Sequence, residues 1–380
     1  MSITPKQRML NAYRGVQNDR PPVAPEFWTY YPAKVLGVSM VEYEREIPFW
    51  KSLKTVFELY DCEGWGLCFP EIQNENLTKK VNFDGIIETT QYKYKGKTYS
   101  AEKKYSFSDP AWLVKHLADD CGQIGEILDM LLDMQNEYDY DAMRREHESV
   151  GESYLLEVWC GAPFFDTIAE LTGFENAIMY FMDEEKSKLL NYQQRYIEYQ
   201  LRFIESIARN TPFESFMVGC NYSCDSLIGP NMWREWDKPC IKAMCERIHQ
   251  LGKLLHIHFH GKSMSCISDF AEIGIDAVCP FERPSGGDVD GLQGLKQVRK
   301  LLDDRVTFNG NVHTVDTLIF GDSREVIKEV REIKQAFDGC NRFIIGSGDQ
   351  VGRETPEENI IALIEEAKAL WRIAKNDDAP

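Results

Sequence analysis

The sequence predicts an α/β fold, a (β/α)8 barrel, and three observations support this. Short apolar runs with strand character recur along the chain, and longer amphipathic stretches with helical periodicity separate most of them. Eight such runs are present, and repeated βα units imply a parallel sheet, which eight units can close into a barrel. The chain has 380 residues, of which 43% are apolar, and no linker rich in glycine or serine divides it. We therefore expect one domain over residues 1–380.

The strand candidates are short runs of mostly apolar residues, at 21–27, 63–69, 154–159, 215–220, 254–259, 275–280, 305–310 and 342–347. Helical periodicity follows the first strand as far as Leu59, and the stretch 164–210 is long enough for two helices. The sequence TPEE predicts the start of the last helix, with Thr355 as its cap and Glu358 completing a capping box. An open, doubly wound sheet is the alternative. No G-x-G-x-x-G follows the first strand, which counts against a dinucleotide-binding form of it.

A polar, β-rich segment interrupts the repeat after the second strand. Polar and apolar residues alternate in GIIETTQYKYKGKTYSAEKKYS around the turn KGK, which predicts a β-hairpin over about 82–106 that projects from the barrel. Ser108, Asp109 and Pro110 follow, and they predict the start of a helix, because proline is favoured at the first helical position.

The charge of the chain excludes two classes of partner. Its formal net charge is −18 and its isoelectric point is about 4.9. Such a surface repels phosphate backbones and anionic lipids, so we expect neither nucleic acid nor a membrane as partner. The N-terminal MSITPKQRML lacks the apolar region of a secretory signal. The eleven scattered cysteines are therefore expected to be reduced thiols of a cytoplasmic protein.

Three of the seven histidines lie in one strand candidate, LLHIHFHGKS, at positions 256, 258 and 260. Because side chains alternate across a strand, the three share a face, and neighbours lie about 6.6 Å apart along it. The last residues of a barrel strand point into the active-site mouth. His258 and His260 are therefore predicted to bind one metal ion, whereas His256 is expected to be a hydrogen-bonded core residue.

Further polar and aromatic residues fall at the ends of neighbouring strands. Asp349, in IIGSGDQVG, would complete a set of two histidines and one carboxylate, which suits zinc, iron or manganese. Glu157 is a candidate general base or fourth ligand. The other polar strand-end residues are Asn221, Glu282, Asn311 and His313. Core packing is the commoner role of aromatic residues in such places, but the candidates for a substrate wall are Phe27, Trp28, Trp159 and Tyr222.

Five longer segments occur in an order that is familiar from one superfamily. They are TPKQRMLNAYRGVQNDRPPVAP (4–25), GAPFFDTIAELTGFENAIMYFMDEEK (161–186), GPNMWREWDKPCIKAMCERIHQLGKLLHIHFHG (229–261), FNGNVHTVDTLIFGDSREVIKEVREI (308–333) and FIIGSGDQVGRETPEENIIALI (343–364). Together they resemble the uroporphyrinogen decarboxylase superfamily over nearly the whole chain, and its corrinoid-linked methyltransferases more than its decarboxylases. The resemblance implies a (β/α)8 barrel with its site at the C-terminal ends of the strands.

The chain departs from that family pattern at the metal ligands. In the methyltransferases, H-x-C-G on the fifth strand and a cysteine after the last strand hold zinc. Here His258 matches the histidine, while His260 and Asp349 stand in place of the two cysteines. The decarboxylases carry an arginine motif after the first strand, and this chain has PEFWTYYPAK there, without an arginine for a substrate with many carboxylates. The family motif GNxD ends in His313.

The resemblance and the altered ligands imply a metal-dependent methyltransferase that moves methyl between a small methylated substrate and a corrinoid protein. The new ligand set carries one negative charge fewer, which makes a bound metal a stronger Lewis acid and favours a methyl ether as substrate. His258, His260 and Asp349 would hold zinc, or else iron or manganese, and Glu157 or His313 would handle protons. Asn221 and Asn311 would join the four aromatic residues at the substrate.

No B12-binding domain is recognisable in the sequence, so the corrinoid is expected on a separate partner protein. A homodimer is compatible with the sequence. Two other hypotheses stay open: a metal-free lyase that decarboxylates a small acid, and a barrel that has lost catalysis. Metal content separates them from the methyltransferase, because neither requires a metal ion.

Overall fold

A computed structural model describes residues 3–73, 77–133 and 136–377. Its strands are β1 (Trp65–Cys68), β2 (Ile72–Gln73), β3 (Thr78–Phe83), β4 (Ile87–Tyr94), β5 (Lys97–Lys104), β6 (Trp112–Lys115), β7 (Glu137–Tyr138), β8 (Leu155–Trp159), β9 (Ser215–Cys220), β10 (Leu254–Phe259), β11 (Ala277–Pro280), β12 (Thr307–Val312) and β13 (Phe343–Ser347).

The helices are α1 (Pro5–Arg14), α2 (Tyr30–Leu36), α3 (Met40–Glu46), α4 (Phe49–Leu59), α5 (Ile124–Leu132), α6 (Tyr140–Val150), α7 (Phe164–Thr172), α8 (Phe174–Asp183), α9 (Lys186–Asn210), α10 (Gly229–Trp236), α11 (Lys238–Gln250), α12 (Ile267–Ile273), α13 (Gly291–Leu302), α14 (Ser323–Ala336) and α15 (Glu357–Asp377). No helix among the described residues is long and apolar enough to cross a membrane. All eleven cysteines carry free thiols.

Seven strands form one parallel sheet in the order β1-β8-β9-β10-β11-β12-β13. The helices between successive strands of this sheet confirm the predicted α/β barrel class. Strands β9 and β10 begin and end at the predicted residues, whereas β11 and β12 each begin two residues later than predicted. In β9, β12 and β13 every residue is buried, as expected for strands that are covered on both faces.

The segment 21–27 occupies the eighth position of the barrel, but it is not the full strand that the sequence predicts. Val23 makes a single parallel bridge to Ile345. Three prolines, Pro21, Pro22 and Pro25, lack the N–H groups that a ladder of backbone hydrogen bonds needs. The segment therefore docks on β13 without extending the sheet.

A buried glutamate holds the other side of this segment. The Glu63 carboxylate accepts a hydrogen bond from the backbone N of Val23 at 2.8 Å. It also forms ion pairs with Arg8 at 2.5 Å and Arg20 at 2.8 Å. Glu63, just before β1, thus connects β1 to the segment 21–27. Among the described residues these two parts of the barrel form no strand pairing with each other.

Polar residues lie deep inside the barrel beneath the strand ends. His256 is fully buried, and its Nδ1 lies 2.9 Å from Glu157 Oε1 and 3.0 Å from the Tyr13 hydroxyl. Ser215 donates a second hydrogen bond to the same carboxylate. These contacts match the expectation that His256 is a hydrogen-bonded core residue, and they engage Glu157 in the core as well.

The insertion after β1 is larger than the predicted hairpin. Strands β3 to β6 form an antiparallel sheet in sequence order. The predicted turn joins β4 to β5 through Lys95 and Gly96, whose φ angles of 47° and 82° fit a two-residue hairpin turn. The helix predicted from Ser108 is wrong, because the chain pairs with β5 as strand β6 instead. Tertiary pairing overrides the local signal of Pro110.

Two helix predictions also require correction. The stretch 164–210 holds three helices, α7 to α9, because Gly173 and the turn at Glu184–Glu185 each end a helix. The capping box predicted at Thr355 is not formed: the last helix begins at Glu357, and the buried Thr355 hydroxyl has no hydrogen-bond partner. The Thr355 hydroxyl is therefore buried without capping the helix.

A pair of buried carboxyl groups ties the loop after β9 to the neighbouring helices. Asp166 Oδ2 accepts hydrogen bonds from the backbone N atoms of Tyr222 and Ser223. The Ser223 hydroxyl lies 2.9 Å from Asp166 Oδ2 and 2.5 Å from Asp237 Oδ2. Burial raises the pKa of Asp166 to about 6 and that of Asp237 to about 8. At neutral pH Asp237 is therefore protonated, and a chain of hydrogen bonds runs from Asp237 through Ser223 to the Asp166 carboxylate.

We expect His256→Ala to lower the free energy of unfolding by about 1–3 kcal/mol, because it removes one of the three buried partners of the Glu157 carboxylate and leaves Ser215 and Tyr13. Metal binding should not change, because His256 lies below the strand ends. Urea denaturation and elemental analysis test the two statements. If His256→Ala lost the metal and His260→Ala kept it, the ligands would be His256 and His258, one step deeper on β10.

The protonated Asp237 should make stability depend on pH. Its folded pKa of about 8 lies above the unfolded value of about 3.9, so stability is full below pH 4 and falls as the pH rises toward 8, by up to about 1.4 kcal/mol per pH unit. Asp237→Asn cannot ionise, so its unfolding free energy should fall less steeply over this range. The exposed Asp290, which makes no capping hydrogen bond, supplies the control Asp290→Asn. Equal slopes for the two variants would contradict the protonated pair.

Candidate functional site

A pocket of about 220 Å³ opens at the C-terminal ends of the barrel strands. Its polar lining includes His258, His260 and Asp349. Its aromatic lining consists of Trp28, Trp65, Phe69 and Trp159, and the Trp65 ring lies 6.1 Å from the His258 ring. A Cβ atom added at Gly219 would come within 2.4 Å of the Trp159 indole, so glycine at this position of β9 allows the indole to lie across the pocket wall. The pocket thus combines a polar face with an apolar one.

The two histidines at the end of β10 face each other. Their Nε2 atoms lie 2.7 Å apart, and His258 is buried whereas His260 is partly exposed. Asp349 Oδ2 lies 3.9 Å from His260 Nδ1. Asp349 has a φ of 155°, which residues other than glycine rarely adopt and which is found mostly at functional sites. The structure therefore brings together the three residues that the sequence predicts as metal ligands.

A second group of donors shares His258. Its Nδ1 lies 3.1 Å from Cys279 Sγ and 4.0 Å from Glu26 Oε2. Each triad, Glu26–His258–Cys279 and His258–His260–Asp349, has one ligand atom per residue within 4.8 Å of the others. Sequence reasoning missed Glu26 and Cys279. Two signals were available: Glu26 is the one charged residue of the first strand candidate, and Cys279 is paired in register with His258.

Negative charge is concentrated around the two imidazoles. Glu282 accepts a hydrogen bond from His260 Nδ1 at 3.0 Å. Glu26 lies 4.0 Å from His258 Nδ1, and Asp349 lies 3.9 Å from His260 Nδ1. Burial raises the pKa of Glu26, and the charges of Asp349 and Glu282 raise it further. Burial also raises the pKa of Asp349. Among the described residues these three carboxylates form no ion pair with a lysine or arginine.

The imidazoles respond to this environment in opposite directions. Burial lowers the pKa of His258, and the charge of His260 lowers it further. Burial also lowers the pKa of His260, but its hydrogen bond to Glu282 and the charge of Asp349 outweigh burial and raise it. A neutral His258 beside three carboxylates, none of which is paired with a lysine or arginine among the described residues, suits a divalent cation. Nitrogen and oxygen donors of this kind fit zinc, iron or manganese.

The predicted substrate residues divide into two groups. Trp28, Trp159 and Asn221 line the pocket. The other three do not line it, because each is engaged elsewhere in the structure. Phe27 packs against Tyr31, Phe57 and Tyr60, Tyr222 stacks on Phe174, and Asn311 is buried with its amide donating to Phe281 O.

Neither predicted proton-transfer residue reaches the pocket. Glu157 lies in the middle of β8 rather than at its end, and its carboxylate bonds Ser215, Tyr13 and His256. His313 caps the π-helical turn Thr314–Ile319: its Nδ1 accepts from two backbone N–H groups and its Nε2 donates to Pro284 O at 2.7 Å. Both side chains therefore serve the local structure.

A neighbouring cavity of about 360 Å³ shares Phe69 and Trp159 with the pocket. Glu170 lines this cavity and accepts a hydrogen bond from Asn221 Nδ2 at 2.9 Å. Burial raises the pKa of Glu170 to about 7, and the charge of Asp166 contributes to the rise. Glu170 thus has a pKa near neutrality and contacts a residue that lines the pocket. Sequence reasoning did not find it because it lies within α7 rather than at a strand end.

Comparisons with solved structures agree with this architecture. The chain is similar to a methyltransferase from Methanosarcina mazei, with a TM-score of 0.67 and 16% identity over 97% of this chain and 100% of that chain. At this identity the similarity shows the fold alone. A 3-keto-L-gulonate-6-phosphate decarboxylase from Vibrio cholerae matches with a TM-score of only 0.30 and 12% identity, over 61% of this chain and 78% of that chain, and carries no argument.

A search of curated protein sequences finds no significant match. A family model described as uroporphyrinogen decarboxylase (URO-D) matches residues 118–370. The match includes β8 to β13 and the three predicted metal ligands, and it spans 253 of the 380 residues. The chain therefore belongs to the uroporphyrinogen decarboxylase family.

Proposed function

We propose that the protein is a metal-dependent methyltransferase that moves a methyl group between a small methyl ether and a corrinoid protein. The observation that carries this proposal is the convergence of His258, His260 and Asp349 in a pocket with aromatic walls, whose described lining contains no lysine or arginine. The structural similarity to a protein named as a methyltransferase gives further support. A cytoplasmic location belongs to the same proposal.

The composition of the pocket argues against a porphyrinogen substrate. Its described lining contains no lysine or arginine and includes two carboxylates, Glu26 and Asp349. A substrate with many carboxylates would therefore meet repulsion rather than ion pairs. The volume of about 220 Å³ is below the usual range for ligand pockets, roughly 300–1,000 Å³. Both features favour a small neutral substrate.

The proposed reaction breaks the bond between the ether oxygen and its methyl carbon. A reduced corrinoid would supply the electron pair for the new bond to carbon, and the oxygen would leave with the electrons of the old one. A metal ion held by His258, His260 and Asp349 would act as a Lewis acid toward the leaving oxygen. The described pocket lining offers no lysine or cysteine, so the nucleophile is expected to come from the corrinoid.

The protein's own residues would bind and orient the ether. Trp28, Trp65 and Trp159 would exclude water and restrict the methyl group to one side of the pocket. The cavity that shares Phe69 and Trp159 with the pocket would receive the part of a substrate that exceeds the pocket. Glu170, held beside Asn221, would return a proton to the released oxygen. Glu157 and His313 have no part in this scheme, because other contacts engage them.

We expect His258→Ala and Asp349→Ala each to lower the metal content from about one ion per chain toward zero, because a site with three protein ligands would retain two. Elemental analysis of the purified variants measures this. His249→Ala is the matched control, since His249 pairs with Asp276 outside the pocket. If Cys279→Ser lost the metal while His260→Ala kept it, the ion would belong to the Glu26–His258–Cys279 group.

The activity itself can be followed through the spectrum of cobalt. The enzyme is incubated with a methoxylated aromatic compound and a reduced corrinoid protein, and methylation of cobalt changes the absorbance. Removal of the metal should slow the transfer by roughly tenfold or more. If transfer proceeds equally fast without metal, or if the enzyme releases CO2 from a small acid, a lyase replaces the methyltransferase. Inactivity toward both would support the barrel that has lost catalysis.

A further inference from the structure

The insertion sheet β3–β6 stands on the same face of the barrel as the pocket. It lies in the connection that follows β1, and in a (β/α)8 barrel all connections after strands gather at the active-site face. Helix α3 joins the sheet to the pocket wall: Met40 N donates to Phe107 O at 2.9 Å, and the Tyr43 hydroxyl donates to Trp28 O at 3.0 Å. The sheet is therefore one helix away from Trp28, which lines the pocket.

The outer edge of this sheet is apolar and exposed. Strand β6 pairs with β5, and no strand among the described residues covers its other edge. The exposed fractions of Trp112, Leu113 and Val114 are 44%, 42% and 47%. An uncovered edge strand with consecutive apolar side chains is a template for association with another protein.

The insertion sheet is positively charged, whereas the rest of the chain is acidic. Residues 78–115 contain eight lysines and four acidic residues, a net charge of +4, so the remaining residues carry −22 of the total of −18. Lys95, Lys97 and Lys115 form ion pairs with acidic residues that follow the sheet. Lys103 and Lys104 lie opposite Leu113 and Trp112 on β5, and Lys104 Nζ is 5.6 Å from the centre of the Trp112 ring. The edge therefore combines positive charge with apolar surface.

We propose that the edge formed by Lys103, Lys104, Trp112, Leu113 and Val114 is the docking surface for the corrinoid protein, and that this partner presents an acidic surface to it. The inference rests on the proposed function, which requires a partner to approach the pocket mouth. The edge lies on that face, and its positive charge would steer an acidic protein toward a chain that otherwise repels it. If a second copy of this chain docked at this edge, it would obstruct the approach of the corrinoid protein to the pocket.

Two acceptors separate docking from chemistry. The first is a purified corrinoid protein, and the second is free cob(I)alamin, which has no protein surface. Lys103→Glu with Lys104→Glu should lower kcat/KM toward the corrinoid protein at least tenfold and remove most of its dependence on salt. Transfer to free cob(I)alamin should not change. Trp112→Ser with Leu113→Ser should also impair only the protein acceptor.

The matched control is Lys79→Glu with Lys80→Glu, which makes the same charge change on β3, the opposite edge of the same sheet. The proposal is overturned if this control impairs the protein acceptor equally, or if the β6-edge variants impair free cob(I)alamin as well. It is also overturned if sedimentation shows a wild-type dimer that Trp112→Ser with Leu113→Ser dissociates. If the wild type methylates neither acceptor, the proposed function fails, and the docking proposal fails with it.

Discussion

The alternation of side chains along β10 determines the depth of the three histidines in the barrel. Three histidines two residues apart on one face reach three levels: His256 contacts Glu157 in the core, His258 contacts Cys279 and Glu26, and His260 reaches Asp349 at the mouth. A shift of one residue would turn all three outward into the helices. The metal donors, the pocket and the buried cluster therefore depend on one strand register.

Much of the fold and part of the site follow from sequence pattern. Apolar runs located the strands of the main sheet, and the spacing of His258 and His260 indicated their common face. The end of β8 at Trp159 was predicted correctly, but Glu157 lies two residues before that end, and its carboxylate is bonded in the core, below the pocket. Cys279 and Glu26 were missed because their nearness to His258 comes from parts of the barrel that are distant in sequence: Cys279 from the neighbouring strand β11, and Glu26 from the first segment, across the barrel. Their roles arise from tertiary structure, which local pattern does not encode.

The chain contains two arrangements of carboxyl groups that stabilise charge in different ways. Asp237 is protonated at neutral pH and Ser223 links it to the Asp166 carboxylate, so the buried pair needs no cation. Glu26, Glu282 and Asp349 are gathered around two imidazoles, of which His258 has a lowered pKa. Burial of like charges at short range is costly unless a cation or a proton compensates them. The first arrangement holds a loop in position, and the second has the electrostatics of a binding site.

The seam between the first segment and β1 makes the inner donor group depend on closure of the barrel. Glu26 follows Pro25 on a segment that is held by Ile345 near the end of the barrel and by Glu63. During synthesis Glu63 is made early, but the pairing with β13 can form only more than 300 residues later. The inner donor group of Glu26, His258 and Cys279 is assembled only in a barrel whose two ends have met. A truncated or half-folded chain would hold the β10 histidines without Glu26, so the site distinguishes finished molecules from unfinished ones.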